Sequence, residues 1–421
     1  MGLDSADNPV LGFRSTSEDF PTTPGAYDRT YNDHAPGHGD VVVAKLDNTL
    51  STLLASTFIG GALWDEARSL HVDSDDTVLV GGNTVNSSSF GAIYPTTAGA
   101  YSTCSNTLAG HDAFVSRLSV DFSTLIASTC IGPDPTNELI VGIKTTADGS
   151  VVVIGRTGSS VFPVTVGAFD TTFNGGTEDA FVAKFDSGLT TLAASTYLGG
   201  NVWEYPHALM IDPAGMIHVT GGTRSTDFPT TVDGYDTSHD GLRNGFHVQL
   251  APDLDGLEYG TFIGGSVEDS AAAAFLIGPD LYLHGWSRSA DFPTSPGAYD
   301  ENHNGGKDGY ITRLGPLAAC PDADGDSVCD ADDNCPDAAN PGQENVDGDT
   351  TGDVCDPCPI DANDTNPDGD DYCDADTVGG YEPCNTFPPD AFCLDNCPGA
   401  ANNQLDTDDD GEGDVCDVDD D

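Results

Sequence analysis

The chain has 421 residues, with 70 Asp plus Glu against 13 Lys plus Arg and a formal charge of −57. That balance argues against nucleic acid or an anionic membrane surface as a partner, because both attract basic patches. No stretch of about 18 consecutive apolar residues occurs, so no transmembrane helix is expected, and 50 Gly with 26 Pro favour short strands joined by turns over helices.

In chain order, one phrase recurs five times: DFPTTPGAYD from Asp19, IYPTTAGAYS from Ile93, VFPVTVGAFD from Val161, DFPTTVDGYD from Asp227 and DFPTSPGAYD from Asp291. A second phrase follows each copy (DVVVAKLD, DAFVSRLS, DAFVAKFD, NGFHVQLA, DGYITRLG), and a third, LLASTFIGG from Leu53, recurs as LIASTCIG, LAASTYLGG and LEYGTFIGG. A fourth is a run ending in Gly: DTVLVGG, GSVVVIG, GMIHVTGG and DLYLHG. These runs are rich in Val, Ile, Phe, Tyr and Thr and bounded by Gly, Asp and Asn, which is the signature of strands. With the run before the fourth phrase, each period holds about four strands, and tandem four-stranded units predict an all-β fold, a β-propeller of about five repeats.

The phrases DAFVAKFD, ASTYLGG, GMIHVTGGT and DFPTTVDGYD resemble the bacterial β-propeller repeat family labelled SBBP, over residues from about Val10 to Leu317. The resemblance implies an extracellular or cell-surface propeller, a structural or binding module without a shared enzymatic activity. The array opens at PVLGFRST with no preceding strand, the fifth unit lacks a trailing one, and no secretory signal stands at Met1. The reading is therefore a secreted protein truncated ahead of Met1, with its terminal strands completing one another or belonging to a longer array.

From Cys320 to Asp421 the composition changes: no Lys, Arg or His, but 29 Asp, 3 Glu and ten of the 12 cysteines. A domain boundary is expected between Gly315 and Ala319, giving a repeat domain over 1–319 and a tail over 320–421. The tail has too few apolar side chains to offset chain entropy of roughly 1–2 kcal/mol per residue, so disulfides and metal ions must hold it. Carboxylates and amides stand at positions 1, 3, 5, 9 and 12 of a loop: Asp322, Asp324, Asp326, Asp330 and Asp333, then Asn345, Asp347, Asp349, Asp353 and Asp356. The pattern returns at Asp406, Asp408, Asp410, Asp414 and Asp417, and in weaker form at Asn366, Asp368, Asp370 and Asp374, where Thr377 takes the last place. Alternate oxygens converging on one point suit Ca2+, which takes six to eight such ligands, better than Mg2+ or Zn2+. The Gly placement excludes an EF-hand. The phrases DADGDSVCDADDNCP and DTDDDGEGDVCD instead resemble thrombospondin type 3 repeats, which implies calcium-loaded loops with little regular secondary structure.

Four tail cysteines open a Cys-Pro step, and sequential pairing joins Cys320 to Cys329, Cys335 to Cys355, Cys358 to Cys373 and Cys397 to Cys416, leaving Cys384 with Cys393. Ten cysteines allow many other connectivities. Cys104 and Cys130 share one repeat and form either a sixth bridge or two buried thiols. The dense, even count indicates an oxidising compartment.

No nucleophile elbow, HExxH helix, Walker loop or GxGxxG turn is present. His34, His239 and His303 fall in equivalent loops and read as solvated side chains; Asp28, Asp170, Asp236 and Asp300 close the first phrase and read as turn-makers. Trp64, Trp203 and Trp286 suit packing between blades, with a carbohydrate platform as the rival reading. The expected protein is a non-catalytic, extracellular calcium binder: the propeller offers a surface to a protein or glycan, and the tail forms a calcium-stiffened stalk, in adhesion or matrix assembly. The alternatives are a carbohydrate-active enzyme or lectin built on the propeller funnel, and a segment of a surface filament. An enzyme would need dissimilar polar residues from several blades gathered at one end of the funnel.

Overall fold

The computed structural model describes residues 1–32, 37–87, 89–105, 110–132, 136–277, 280–316, 324, 333–340, 344–346 and 351–355. Nineteen strands and no helix occur among them, in five antiparallel sheets whose strands neighbour one another in chain order. The first sheet holds β1 (Gly2–Leu3), β2 (Pro9–Ser15), β3 (Asp40–Leu46) and β4 (Leu53–Ile59), and the second β5 (Asp65–Val72), β6 (Val78–Thr84), β7 (Asp112–Leu118) and β8 (Leu125–Ile131). The third holds β9 (Glu138–Thr145), β10 (Val151–Thr157), β11 (Asp179–Phe185) and β12 (Leu192–Leu198). The fourth holds β13 (Glu204–Ile211), β14 (Ile217–Thr223), β15 (Asn244–Leu250) and β16 (Leu257–Ile263), and the fifth β17 (Asp269–Ile277), β18 (Asp280–Ser287) and β19 (Asp308–Pro316). The leading strands β5, β9, β13 and β17 touch one another in series, so they form the inner lining and β4, β8, β12 and β16 the outer edge. This is the all-β propeller the repeat predicts, with one blade per repeat.

The sequence reading placed no strand before PVLGFRST, and the structure corrects it: β1 pairs Gly2 with Val10 and Leu3 with Pro9. Two residues show no alternation to detect, but the loop that follows copies one in the second blade. Asp4 accepts the Asn8 amide at 2.9 Å, and Asp7 takes φ 60° where Asp76 takes 62°. The fifth sheet has three strands among the described residues. The chain divides into two compact units, Met1–Gly315 and Pro316–Asp421.

The joints between the first four blades are apolar layers. Val41, Val43 and Ile59 of the first blade meet Val78, Val80 and Phe114 of the second. Leu79, Val115 and Ile131 meet Ile140, Val153 and Phe181, and Val152, Val182 and Leu198 meet Val219, Phe246 and Phe262. The aromatic of the first phrase lies on the ring of the third strand in four blades: Tyr94 on Phe114 at 4.2 Å, Phe162 on Phe181 at 4.3 Å, Phe228 on Phe246 at 4.4 Å and Phe292 on Tyr310 at 4.5 Å. That stack accounts for the Gly ending the fourth phrase. A Cβ on Gly155, Gly221 or Gly285 would collide with this third-strand ring and with a leading-strand carbonyl.

Candidate functional site

Of the tail residues expected to bind metal, Asp324, Asp333, Asn345 and Asp353 are among those described; Asp322, Asp326, Asp330, Asp347, Asp349, Asp356, Asn366, Asp368, Asp370, Asp374, Asp406, Asp408, Asp410, Asp414 and Asp417 lie outside them. So do Cys320, Cys329, Cys358, Cys373, Cys384, Cys393, Cys397 and Cys416, and His34 among the loop histidines. The expected bridge between Cys335 and Cys355 is formed, with Cα atoms 5.6 Å apart. Around it, Asn334 O accepts the Gly352 amide at 2.8 Å, Asn334 Oδ1 accepts Asn340 Nδ2 at 2.6 Å, and Asp353 Oδ1 accepts the Val346 amide at 2.8 Å. Asp333 Oδ1 accepts the Cys335 amide at 2.8 Å, so the carboxylate closing the first loop pattern is tied to the bridge of the second. The donor set is hard oxygen throughout, which fits Ca2+.

Cys104 and Cys130 are also bridged, with Cα atoms 5.0 Å apart, which resolves the two alternatives in favour of the disulfide. Asp112 stands beside the bridge, but sulfurs joined to each other are not metal ligands. The first-phrase aspartates are turn-makers as expected: Asp28, Asp170, Asp236 and Asp300 each accept the amide two residues on, from Thr30, Thr172, Ser238 and Asn302.

A cluster of bases and tryptophans is the feature that the repeat phrases do not disclose. Antiparallel pairing brings the starts of β5, β7, β13, β15, β17 and β19 and the ends of β2, β6, β10, β14 and β18 to one end of the array. There stand Arg14, Arg68, Arg156, Arg224, Arg243, Arg288 and Lys307, seven of the chain's 13 bases, together with all three tryptophans. Arg14 lies 3.8 Å over the Trp64 ring. Lys307 Nζ is 3.6 Å and Arg243 4.5 Å from the Trp286 centroid, and Arg243 also reaches Tyr205 at 5.7 Å, which Arg156 meets at 5.3 Å. Trp203 and Tyr205 lie 4.5 Å apart. Three carboxylates serve as spacers: Glu178 binds Arg156 at 2.7 Å and Trp203 Nε1 at 3.0 Å, Glu268 binds Arg288 at 2.7 Å and Arg224 at 3.6 Å, and Glu66 binds Arg68 at 3.0 Å. Among the described residues Arg243 and Lys307 make no ion pair, and burial lowers Arg243 from its ordinary value against the attraction of Glu268. The trace of this face in the sequence is a repeat offset whose residue changes from blade to blade. The position before the last residue of the second strand reads Arg14, Asn83, Arg156, Gly222 and Trp286, while its neighbour is Ser or Thr in every blade.

Beneath this face each joint buries a pair of acids or their amide counterpart: Asp40 with Asp65, Asp112 with Glu138, Asp179 with Glu204, and Asn244 with Asp269, all at most 4 % exposed. In the third pair, Asp179 Oδ2 accepts the Asn174 amide at 2.7 Å and Glu204 Oε1 accepts Thr223 and Ser225 hydroxyls at 3.0 and 2.5 Å. Asp179 Oδ1 and Glu204 Oε2 remain without a donor, and both carboxyls crowd Gly199, where a Cβ would fall 2.9 Å from Asp179 Cγ and 3.0 Å from Glu204 Oε2. Burial first, then the charges of Asp170 and Asp227, pushes Asp179 up to about 7 against the hydrogen bonds of Asn174 and Glu204, and burial first, then the charge of Asp179, pushes Glu204 up to about 7 against the Ser225 and Thr223 hydroxyls.

No family model and no curated protein matches the chain. Among solved structures it is similar to hydrazine synthase of Kuenenia stuttgartiensis, with TM-score 0.36 and 12% identity, covering 71% of this chain and 65% of that one. It is also similar to the phage phi92 endosialidase, with TM-score 0.34 and 12% identity over 73% and 52%, and to an apocarotenoid oxygenase mutant of Synechocystis, with TM-score 0.32 and 11% identity over 75% and 70%. The chain spans just under two thirds of the hydrazine synthase chain. Similarity this slight carries no functional argument.

Proposed function

We propose that this is a non-catalytic extracellular binding protein, in which the arginine- and tryptophan-bearing end of the propeller takes an anionic polysaccharide and the tail is a calcium-loaded spacer. The observation that carries the reading is the gathering of seven of 13 bases and all three tryptophans at one end of the array, where Arg14, Arg243 and Lys307 lie on indole rings. Sugar rings stack on indole faces, while Arg guanidinium forks suit the ring carboxylates or sulfates of acidic glycans. The two bridged cysteine pairs support an oxidising compartment. The resemblance of the tail to thrombospondin type 3 repeats, with its oxygen-only donor set, supports Ca2+. Residues on this face do differ between blades, as an enzyme or lectin requires. Its carboxylates, however, are held in ion pairs with Arg, which suits binding better than acid–base chemistry.

The test is calorimetry with hyaluronate, a uronate-bearing chain, against dextran, which is neutral. Hyaluronate should bind, Trp286→Ala should weaken it by about tenfold, the scale of one lost stacking contact, and dextran should give no heat. Equal binding of the two polymers, or none of either, would sink the proposal. A calcium titration with stoichiometry near four, matching the four loop patterns, checks the tail.

A further inference from the structure

The three joints between the first four blades share a device that the repeat phrases do not reveal. The turn between the third and fourth strands of a blade places one large apolar residue in the left-handed region: Phe122 at φ 57°, Leu189 at 56° and Leu254 at 58°. Each is fully buried, because the turn inserts it into the apolar layer shared with the preceding blade. There its carbonyl accepts the amide of the aromatic in the preceding first phrase: Tyr27 N to Phe122 O at 2.8 Å, Tyr101 N to Leu189 O at 2.9 Å and Phe169 N to Leu254 O at 2.8 Å. In two joints a lysine of the preceding blade adds a bond two residues earlier, Lys45 Nζ to Val120 O at 3.0 Å and Lys184 Nζ to Pro252 O at 3.1 Å.

The left-handed half of this device occurs once more without its counterpart and the aromatic half twice, at Tyr235 of the fourth blade, 59 % exposed with its amide on the Tyr259 hydroxyl at 3.1 Å, and at the end of the fifth blade. Leu50 of the first blade has the same left-handed turn, φ 59°, but is 66 % exposed. At the other end, Tyr299 occupies the Tyr27 position of the fifth blade with its ring wholly exposed, and Arg313 stands where Lys45 stands, 59 % exposed. Ile311, on the side of β19 equivalent to the buried Val115, is 77 % exposed. Ring closure within the chain does not unite the halves, since Leu50 and Tyr299 are both exposed.

We infer that this chain associates head to tail with a second copy of itself, the Leu50 turn of one copy entering the Tyr299–Arg313 face of the next. The occupant is specified by the interior joints, each of which shows the complete contact: an apolar left-handed residue in the layer, an aromatic amide on its carbonyl and, in two cases, a base on the carbonyl two residues earlier. In the intermolecular joint Tyr299 N–H would donate to Leu50 O and Arg313 to Asn48 O. The contact is heterologous, so it generates open chains rather than a closed dimer.

Sedimentation equilibrium of the full chain tests this at about 0.3 M NaCl, where the Debye length falls to about 5 Å and repulsion between acidic copies is screened. The weight-average mass should rise with concentration past that of a dimer. Leu50→Asp removes the buried side chain and weakens association at least tenfold, by the rough worth of one buried leucine; the position is exposed, so its unfolding midpoint should be unchanged. Tyr299→Asp should be monomeric alone, yet a mixture of the two variants should form dimers, since one retains a free knob and the other a free socket. A monomeric wild-type chain at every concentration, or association that Leu50→Asp leaves intact, overturns the inference.

Discussion

Asp179 and Glu204 pose a problem that a proton solves. Two buried carboxylates each spend one oxygen on ordinary donors and turn the other toward their partner. Ionising both would leave like charges together out of water, so one proton held between them is the economical state. The fourth joint writes the same answer covalently, with Asn244 in the place of Asp179 opposite Asp269. The sign follows from the direction of the shifts: acids raised to about 7 from near 4 favour the folded state fully below the unfolded value, and that contribution is lost as pH rises through about 7. Asp179→Asn should therefore stabilise the propeller by about 1–3 kcal/mol at pH 8, the usual cost of a buried group without its hydrogen bond. The gain should shrink toward pH 5; urea unfolding at both pH values measures it, and equal gains at both would contradict a shared proton. The fourth blade carries the opposite kind of group. His218 and His247 lie 3.1 Å apart where the first three blades have aliphatic residues, and burial lowers both. Stability from these neutral imidazoles is present above their ordinary value near 6.5 and is lost as pH falls, so His247→Val should make the chain less acid-sensitive between pH 6.5 and 5.

At the scale of elements, the left-handed turns separate chemistry from context. Leu254 and Leu50 share a residue type and a φ near 58°, yet one is fully buried and the other mostly exposed. Leu254→Ala should cost about 2–5 kcal/mol, the range for core leucines, while Leu50→Ala in a dilute monomer should cost under about 0.5 kcal/mol. Comparable losses in denaturant unfolding would mean that the turn conformation, rather than the pocket, sets the energy. The contrast also marks what the sequence discloses. Strand positions were legible because runs rich in Val, Ile and aromatics, such as those holding Val41, Val115 and Val153, recur from repeat to repeat and are buried on both faces, and each Gly ending the fourth phrase repeats with them. The knob turns were not, since Asp-Asn-Thr-Leu50, Ser-Val-Asp-Phe122 and Ala-Pro-Asp-Leu254 share only an apolar last residue, and its left-handed conformation leaves no mark on composition. The cluster of bases was illegible for another reason: Arg156 reaches Tyr205, and Arg243 and Lys307 reach Trp286, only once strands far apart in the chain stand side by side. A single sequence shows such a site as isolated bases in an acidic background.

At the scale of the molecule, charge is partitioned as the composition alone does not show. The tail concentrates 32 acids without one base, and the remaining 319 residues carry 38 acids and all 13 bases, over half of which face one end of the funnel. Chelating calcium should expose the tail to protease while the propeller, held by its apolar joints, stays resistant; equal resistance of the tail with and without chelator would remove calcium from its folding. The same partition has a kinetic consequence. An anionic chain approaching Arg243 and Lys307 feels local attraction and, at longer range, the repulsion of a molecule of charge −57. Four bound calcium ions would cancel about 8 of the tail's 32 negative charges. If the face binds an anionic polysaccharide, calcium should therefore raise its association rate, most strongly at low ionic strength, while the dissociation rate, set by contacts with Trp286 and the arginines, stays nearly constant. Surface-immobilised hyaluronate with stopped calcium addition would read both rates, and the calcium effect should fade as salt shortens the Debye length toward about 3 Å at 1 M. An association rate indifferent to calcium at low salt would mean that the tail's field does not reach the face. A dissociation rate that moves instead would point to calcium acting at the contact itself.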